Sequence, residues 1–287
     1  MNYYAQRKID IKINIADGEM GDLSGEEILL TGLRVSAQMV TYNGEAQGQL
    51  HLRIFGMRLD YIDRLTSIGP IMTQRRKNII TVTAGEENDS MATVYEGTIN
   101  SAFGDFQGAP EVVFNVIALA AAFYAVKPIP AKSYKEPVNI IDVIGYIAND
   151  MELKLENNAS DVILPNRNYS GTALTQLKQC AIDANINYTI ENGVLAIWDK
   201  NSYRLGDPID VSAATGMVGY PLLSADGIAC TMLFNHDLRL GGRINVESTL
   251  TVSNGIWNIV KISHVIESET PDGQWFTQVI CQRGFNG

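Results

Sequence analysis

Apolar residues fall at every second position near the start of the chain. "KIDIKINIA" puts Ile9, Ile11, Ile13 and Ile15 on one face, the period of a half-buried strand. "LRVSAQMVTYNGEAQGQLHLRIFG" reads as two more strands, with Asn43-Gly44 as a turn that accepts positive φ. A short helix is predicted over "MRLDYIDRLTSI". Strands follow in "NIITVTAG" and "MATVYEGTINSAFGD", separated by the polar "EENDS". Short strands at this spacing predict a small barrel or sandwich over the first hundred residues.

The period then changes. "VNIIDVIGYIANDM" spaces Ile140, Ile144, Ile147 and Met151 helically, with Asn139 as N-cap. "SGTALTQLKQCAIDAN" repeats the pattern with Leu174, Leu177, Ala181 and Ala184 behind Ser170. Each helix runs into an alternating strand, "ELKLE" and then "INYTIENGVLAIWD", the latter with an Asn192-Gly193 hairpin. This predicts a small α/β module set between two β regions.

From Asp207 onward the pattern is β again, punctuated by Gly216, Gly219, Gly227, Gly241, Gly242 and Gly255. "NGIWNIVKISHVIES" and "DGQWFTQVICQ" predict a long closing hairpin, with Gly273 of "ETPDGQ" supplying a positive φ. Ile256, Asn258, Val260, Ile262 and His264 fall on one face of its first strand. Trp257, Ile259, Lys261, Ser263 and Val265 fall on the other.

Composition narrows the function. The 287 residues suit two or three modest domains, and 46% hydrophobic with 19% charged residues is ordinary for a packed core. A net charge of −10 argues against nucleic-acid binding, which needs cations to neutralise phosphates. The run "QRRKN" (Gln74 to Asn78) reads as a solvated loop or strand entry. Cys180, Cys230 and Cys281 are odd in number and lack CxxC spacing, so a reducing cytoplasm is the expected folding compartment. No apolar core follows a basic start, so no secretory leader is expected. The longest apolar stretch, Val112 to Val126, falls short of the roughly 20 residues a membrane span needs, and reads as buried core.

Candidate chemistry is sparse. No phosphate loop, dinucleotide fingerprint, HExxH or GxSxG is present. "DGEMGDLSGEE" (Asp17 to Glu27) misses the calcium-loop pattern. His236 stands beside Asp237, but strand neighbours point to opposite faces, so Asp237 is not expected to orient the imidazole. Cys230 and Cys281 sit in apolar β context and read as buried thiols. Trp257 and Trp275 could stack on a sugar ring, but across a hairpin they read as core or subunit contact. Catalytic, cofactor and metal residues are therefore expected to be absent.

The segment from Thr215 to Gln282 carries a more specific signal. Its ordered corners are Gly216, Met217, Gly219, Pro221, Gly227, Ile228, Leu238, Gly241, Gly242, Asn254, Gly255, Trp257, His264, Gly273 and Trp275. In this order they resemble the closing barrel of central hub proteins of long-tailed bacteriophage baseplates, which are related to hub domains of contractile injection systems. "GLRVSAQMVTYNGEAQGQLHLRIFGM" and "YEGTINSAFGDFQGAPEVVFNVIALA" are similar to that family's first barrel.

The resemblance implies a mainly β chain with a small α/β module and two similar β-barrels. The first barrel would span 1–112. The second would combine 113–136 with 202–287, and the module would occupy 137–201. It also implies a homotrimer beneath the tail tube protein and above the central spike protein, contacting the tape measure protein and other baseplate proteins. DNA would pass through without specific binding, no membrane would be engaged, and the chain would be made in the host cytoplasm for the virion tail. No cell-wall-degrading domain is recognisable; a carbohydrate-binding virion protein and a cell-wall hydrolase are the competing readings. His264 is expected to be a hydrogen-bonded strand residue.

Overall fold

The computed structural model describes residues 6–15, 27–42, 48–66, 78–87 and 91–283. The Asn43-Gly44 turn, most of the Asp17–Glu27 loop, the QRRK run and the turn at 88–90 lie outside the described residues. The chain is mainly β and folds as two compact units. The first unit comprises 1–40, 48–122 and 264–276; the second comprises 41–47, 123–263 and 277–287.

The first part of the chain supplies β1 (Arg7–Asn14), β2 (Glu27–Leu30), β3 (Val35–Tyr42), β4 (Gln49–Phe55), α1 (Leu59–Leu65), β5 (Ile79–Glu86), β6 (Ala92–Asp105) and β7 (Val113–Leu119). The middle supplies β8 (Lys132–Tyr134), β9 (Val138–Asn139), α2 (Ile140–Asp150), β10 (Lys154–Asn158), β11 (Ile163–Leu164), β12 (Arg167–Tyr169), α3 (Ala173–Ala184), β13 (Ile186–Glu191) and β14 (Val194–Asp199). The last part supplies β15 (Ile209–Val211), β16 (Leu222–Ser224), β17 (Gly227–Leu233), β18 (Arg243–Val246), β19 (Gly255–Ser268) and β20 (Trp275–Gln282).

In the first unit the strands pair in the order β19-β3-β4-β7-β6-β5-β1-β2. The register follows the alternation. Ala37, Leu52 and Val116 stand opposite one another on β3, β4 and β7, and all three are buried. Ile11, Val82 and Tyr95 form a second buried row across β1, β5 and β6. A one-residue slip would turn each row outward, so burial fixes the pairing. Ile9, Ile11, Ile13 and Ile15 are all buried, as their spacing predicts. Among the described residues the pairings record no closed barrel, and the strand path runs from β19 to an unclosed end at β2.

The second unit holds the α/β module and the closing strands. Helices α2 and α3 bury Ile140, Ile144, Ile147 and Leu177 against β10-β14-β13. Each such side chain contributes about 1.5–3 kcal/mol on leaving water. Asn139 caps α2 as predicted, its Oδ1 accepting the Ile141 amide at 3.1 Å. The cap of α3 is Thr172 rather than Ser170: Thr172 Oγ1 accepts the Thr175 amide at 3.3 Å. Tertiary contact moves the start, because Ala173 N donates to Lys127 O and Gln176 Nε2 donates to the Pro130 and Gly171 carbonyls.

The unit's other strands pair in the order β16-β17-β20-β19-β18-β15. Strand β14 serves both cores. Leu195 and Ile197 face the helices, whereas Ala196 and Trp198 join the core of the closing strands. Burial on two faces explains the unbroken apolar run "VLAIW".

Candidate functional site

The sequence-predicted corner residues hold the closing strands in place. Gly216, Gly219, Gly227, Gly241 and Gly255 all have positive φ, where a Cβ strains the backbone. At two of them space is also closed. A Cβ on Gly227 would overlap the carbonyl oxygen of Cys281, because β17 runs tight against β20. A Cβ on Gly241 would lie 2.6 Å from Cζ2 of the fully buried Trp198. Gly216 lets the chain double back: Leu233 N donates to Gly216 O at 2.9 Å, and Val218 N donates to Thr231 O at 2.8 Å. Pro221 is buried just before β16, and Gly242 N bonds Arg239 O at 3.0 Å.

The closing hairpin differs from its sequence reading in two respects. Positive φ occurs at Glu269 (52°) and Asp272 (54°), not at Gly273. Gly273 is needed for room instead: its Cβ would stand 3.0 Å from Thr270 O, and its own carbonyl accepts from Arg7 Nη1 at 3.0 Å. Strand β19 also changes its buried side between Val260 and Lys261. Trp257 and Ile259 are buried before that point, and Ile262, His264 and Ile266 after it. The switch falls inside the second unit, which holds residues 255–263, and Trp257, Ile259 and Ile262 on either side of it all join the core of the closing strands.

The aromatic residues point inward. Trp257 is buried, donates Nε1 to Ser253 O at 2.8 Å and lies under the Arg283 guanidinium. Trp275 is buried beneath Arg7. Neither offers the open face that sugar stacking needs. His264 is buried within β19.

The catalytic candidates gain no constellation. His236 and Asp237 lie in a turn, not a strand, so the expectation of opposite faces fails: Nε2 is 3.5 Å from Asp237 Oδ1. That turn is set by Asn235 Oδ1, which accepts the Asp237 amide at 2.9 Å. All three thiols are buried; burial pushes Cys180 up to about 12, Cys230 up to about 11 and Cys281 well above the ordinary thiol value. Thiols held protonated in this way are poor nucleophiles. A cleft of about 370 Å³ in the first unit is lined by Gln6, Lys8, Asp10, Thr31, Ser268 and Glu269. Lys8 there pairs with Glu87 at 2.8 Å, and Gln6 donates to Glu269 at 2.8 Å. Among the described residues no group of three or more His, Cys, Asp or Glu side chains could hold a metal ion. No helix among them is long and apolar enough to cross a membrane.

The sequence reading missed Arg204. Its side chain is 4% exposed and bidentate to Glu156, with Nε at 3.0 Å from Oε1 and Nη2 at 2.7 Å from Oε2. Nη1 also donates to Glu191 at 3.3 Å and to Leu240 O at 3.1 Å. One cation thus ties β10 and β13 of the module to the corner before β18. The Arg204 hydrogen bonds hold the Glu156 carboxyl below its ordinary range, whereas burial pushes Glu191 up against the pull of Arg204. No local pattern marks this arginine, because its partners lie 48 and 13 positions away.

Glycine corners, a buried tie and closely paired strands define a β-rich scaffold. The chain belongs to the baseplate hub gp41 family, whose model matches residues 9–281. It is a structural component of a virion tail baseplate. Among solved structures it is similar to a tail protein from Neisseria meningitidis MC58, with a TM-score of 0.58 and 10% identity over 96% of each chain. It is also similar to the 43 kDa tail protein of prophage MuSo2 from Shewanella oneidensis, with a TM-score of 0.60 and 10% identity over 96% of this chain and 98% of that one. A third similar structure is the E. coli c3393 protein, a type VI secretion system component with structural similarity to T4 bacteriophage tail proteins gp27 and gp5. It gives a TM-score of 0.58 and 10% identity over 87% of this chain and 73% of that one. No curated protein sequence matches the chain.

Proposed function

We propose that this chain is the central hub of the baseplate, a homotrimeric ring joining the tail tube protein to the central spike protein. The observation that carries the reading is the division of a baseplate-hub chain into two β-rich units. Three copies then bring six β-rich units, enough to meet a six-fold tube above and a three-fold spike below. On this reading the chain contains two similar β-barrels, at 1–112 and at 113–136 with 202–287, and the module at 137–201 is an insertion. Other baseplate proteins and the tape measure protein are its further neighbours. The likeness to a type VI secretion component supports a shared hub architecture.

The same reading makes the ring a passage for DNA. With ten excess negative charges per chain, three copies around one axis repel phosphates from the bore. The hub is not an enzyme on this reading and is made in the host cytoplasm.

Co-expression with the tube and spike proteins tests the proposal. The expected product is an assembly with three copies of this chain, tube on one face and spike on the other, seen by cryo-electron microscopy and native mass. An assembly with two or six copies, or failure to bind either protein, sinks it.

A further inference from the structure

In the first unit β1 is paired along its whole length on one side and along only part of it on the other. β5 runs beside it from Arg7 to Asn14, whereas β2 pairs only with Ile11–Asn14 and stops at Ile11↔Leu30. Gly32, at φ 65°, then turns the chain away. A longer β2 would have lain beside Arg7–Asp10. Among the described residues no strand takes that lane. The cleft of about 370 Å³ opens there, lined by Lys8, Ile9 and Asp10 on one wall and by Thr31, Gly32 and Ser268 on the other.

One hydrogen bond fixes which backbone groups face the cleft. Glu87 N donates to Gln6 O at 2.8 Å, so Gln6 turns its backbone groups toward β5. Alternation along an antiparallel strand turns Lys8 and Asp10 the same way, and Arg7 and Ile9 toward the vacant lane. Thr83 Oγ1 on β5 donates to Asp10 O at 3.4 Å, which agrees. Arg7 and Ile9 therefore each aim an N–H and a C=O at the lane, and no strand among the described residues receives them. Ile9 lines the cleft although it is only 2% exposed. Backbone groups so placed are costly to leave without partners.

We propose that this lane is a binding site for an extended peptide segment carrying Lys or Arg, donated by another protein as an added strand beside β1. The backbone groups select an extended segment. Such a segment presents a donor and an acceptor at every second residue, the same repeat as Arg7 and Ile9. Charge selects its side chain. Glu87, Asp10 and Glu269 gather around Lys8; the Glu87 hydrogen bond, with the charges of Asp10 and Glu269, raises the Lys8 pKa. Glu87 takes the ammonium at 2.8 Å and Gln6 Nε2 donates to Glu269 at 2.8 Å, which leaves Asp10 unmatched beside the lane. An opposite charge on the neighbouring strand is favourable there and a like charge is not. The site lies within the first unit, goes beyond the hub reading and does not depend on the ring.

The test uses the purified full chain and the capped peptide acetyl-Val-Lys-Val-Thr-Val-amide, with amide exchange as the readout. Without peptide, the Arg7 and Ile9 amides are expected to exchange roughly tenfold faster than those of Lys8 and Asp10, which β5 holds. Saturating peptide is expected to slow Arg7 and Ile9 by roughly tenfold and leave Lys8 and Asp10 unchanged. Glu in place of Lys in the peptide should weaken binding, and Asp10→Asn should shrink that preference. Methylating alternate peptide nitrogens should abolish binding in the frame that faces β1. If Asp10→Asn fails to fold, the peptide series still decides, because it leaves the protein untouched. Protection of Arg7 and Ile9 without peptide at every concentration would mean that the chain covers its own edge. Protection that appears only as concentration rises would mean that a second copy does. Either result overturns the proposal, as does absence of binding at millimolar peptide, or binding that leaves Arg7 and Ile9 exchanging as before. None of these outcomes bears on the ring, which the co-expression experiment decides.

Discussion

Arg204 Nη2 lies 2.7 Å from Glu156 Oε2 and Arg204 Nε lies 3.0 Å from Glu156 Oε1, a bidentate pair whose cation is almost wholly buried. Because the same guanidinium reaches Glu191 and Leu240 O, it joins the α/β module to the closing strands within the second unit. A buried charge is costly without partners, so each partner depends on the others.

Removing the cation should therefore be severe. Arg204→Met is expected to cost about 3–5 kcal/mol, because it strips Glu191 of its cation and leaves Glu156 only the more exposed Arg239 at 3.7 Å. Urea unfolding at pH 7 measures it; a loss under 1 kcal/mol would show that the pair is solvated and weak.

The pair also predicts a pH dependence. Arg204 depresses the Glu156 pKa from 4.5, so its contribution is fully present above that value and is lost as pH falls through the lower folded value. Glu191 is raised by burial and has the opposite sign: its burial disfavours the fold as pH rises through its folded pKa. Glu156→Gln should cost about 2 kcal/mol at pH 7, the worth of a charge-assisted hydrogen bond. The gap between wild type and variant should then narrow below pH 4.5. A gap constant from pH 7 to pH 3.5 would contradict this.

Two glycines with positive φ should respond differently to alanine. At Gly193, φ is 76° and nothing stands within 4 Å of an added Cβ, so only backbone strain of about 1 kcal/mol is expected. At Gly227 the Cβ overlaps Cys281 O, and β17 must separate from β20. Gly227→Ala is expected to lower stability by about 3 kcal/mol or more. Thermal melting of the two variants side by side decides it; equal losses would mean β17 relaxes freely.

The thiols should be inert in the folded chain. With Cys180 pushed up to about 12 and Cys230 up to about 11, almost no thiolate exists at pH 8, and burial blocks access as well. Alkylation at pH 8 is expected to label none of the three in minutes and all of them in guanidinium. Rapid labelling of one native thiol would reopen a nucleophilic role.

If the bore is acidic, the assembled ring should not retain DNA. Gel shift at low salt, where phosphate contacts are strongest, is expected to show no retained duplex. Tight binding would mean that cations among the 22 Lys and Arg residues of this chain are gathered on the axis.

Much of the architecture is set by residues that interact locally. Period-two isoleucines place β1, the 3.6-residue spacing places α2, and Asn139 caps it, because these signals act between neighbours in sequence. The glycine order from Gly216 to Gly273 also marks the closing strands and the family. Local signals fail where a distant partner decides the outcome. Thr172 replaces Ser170 as the cap because Lys127 O takes the Ala173 amide. β19 changes its buried side between Val260 and Lys261, with Ile259 and Ile262 on either side packed in one core, which strict alternation does not foresee. His236 and Asp237 approach because a turn, not a strand, carries them. Arg204 looks like any polar residue of a loop, and only folding brings Glu156 and Glu191 to it across 48 and 13 positions. Sequence alone determines which faces are apolar and where the chain turns, since those follow from neighbouring side chains. Which buried charge is matched, and which cap is used, is decided by the tertiary structure, since each depends on groups that meet only after the strands have paired.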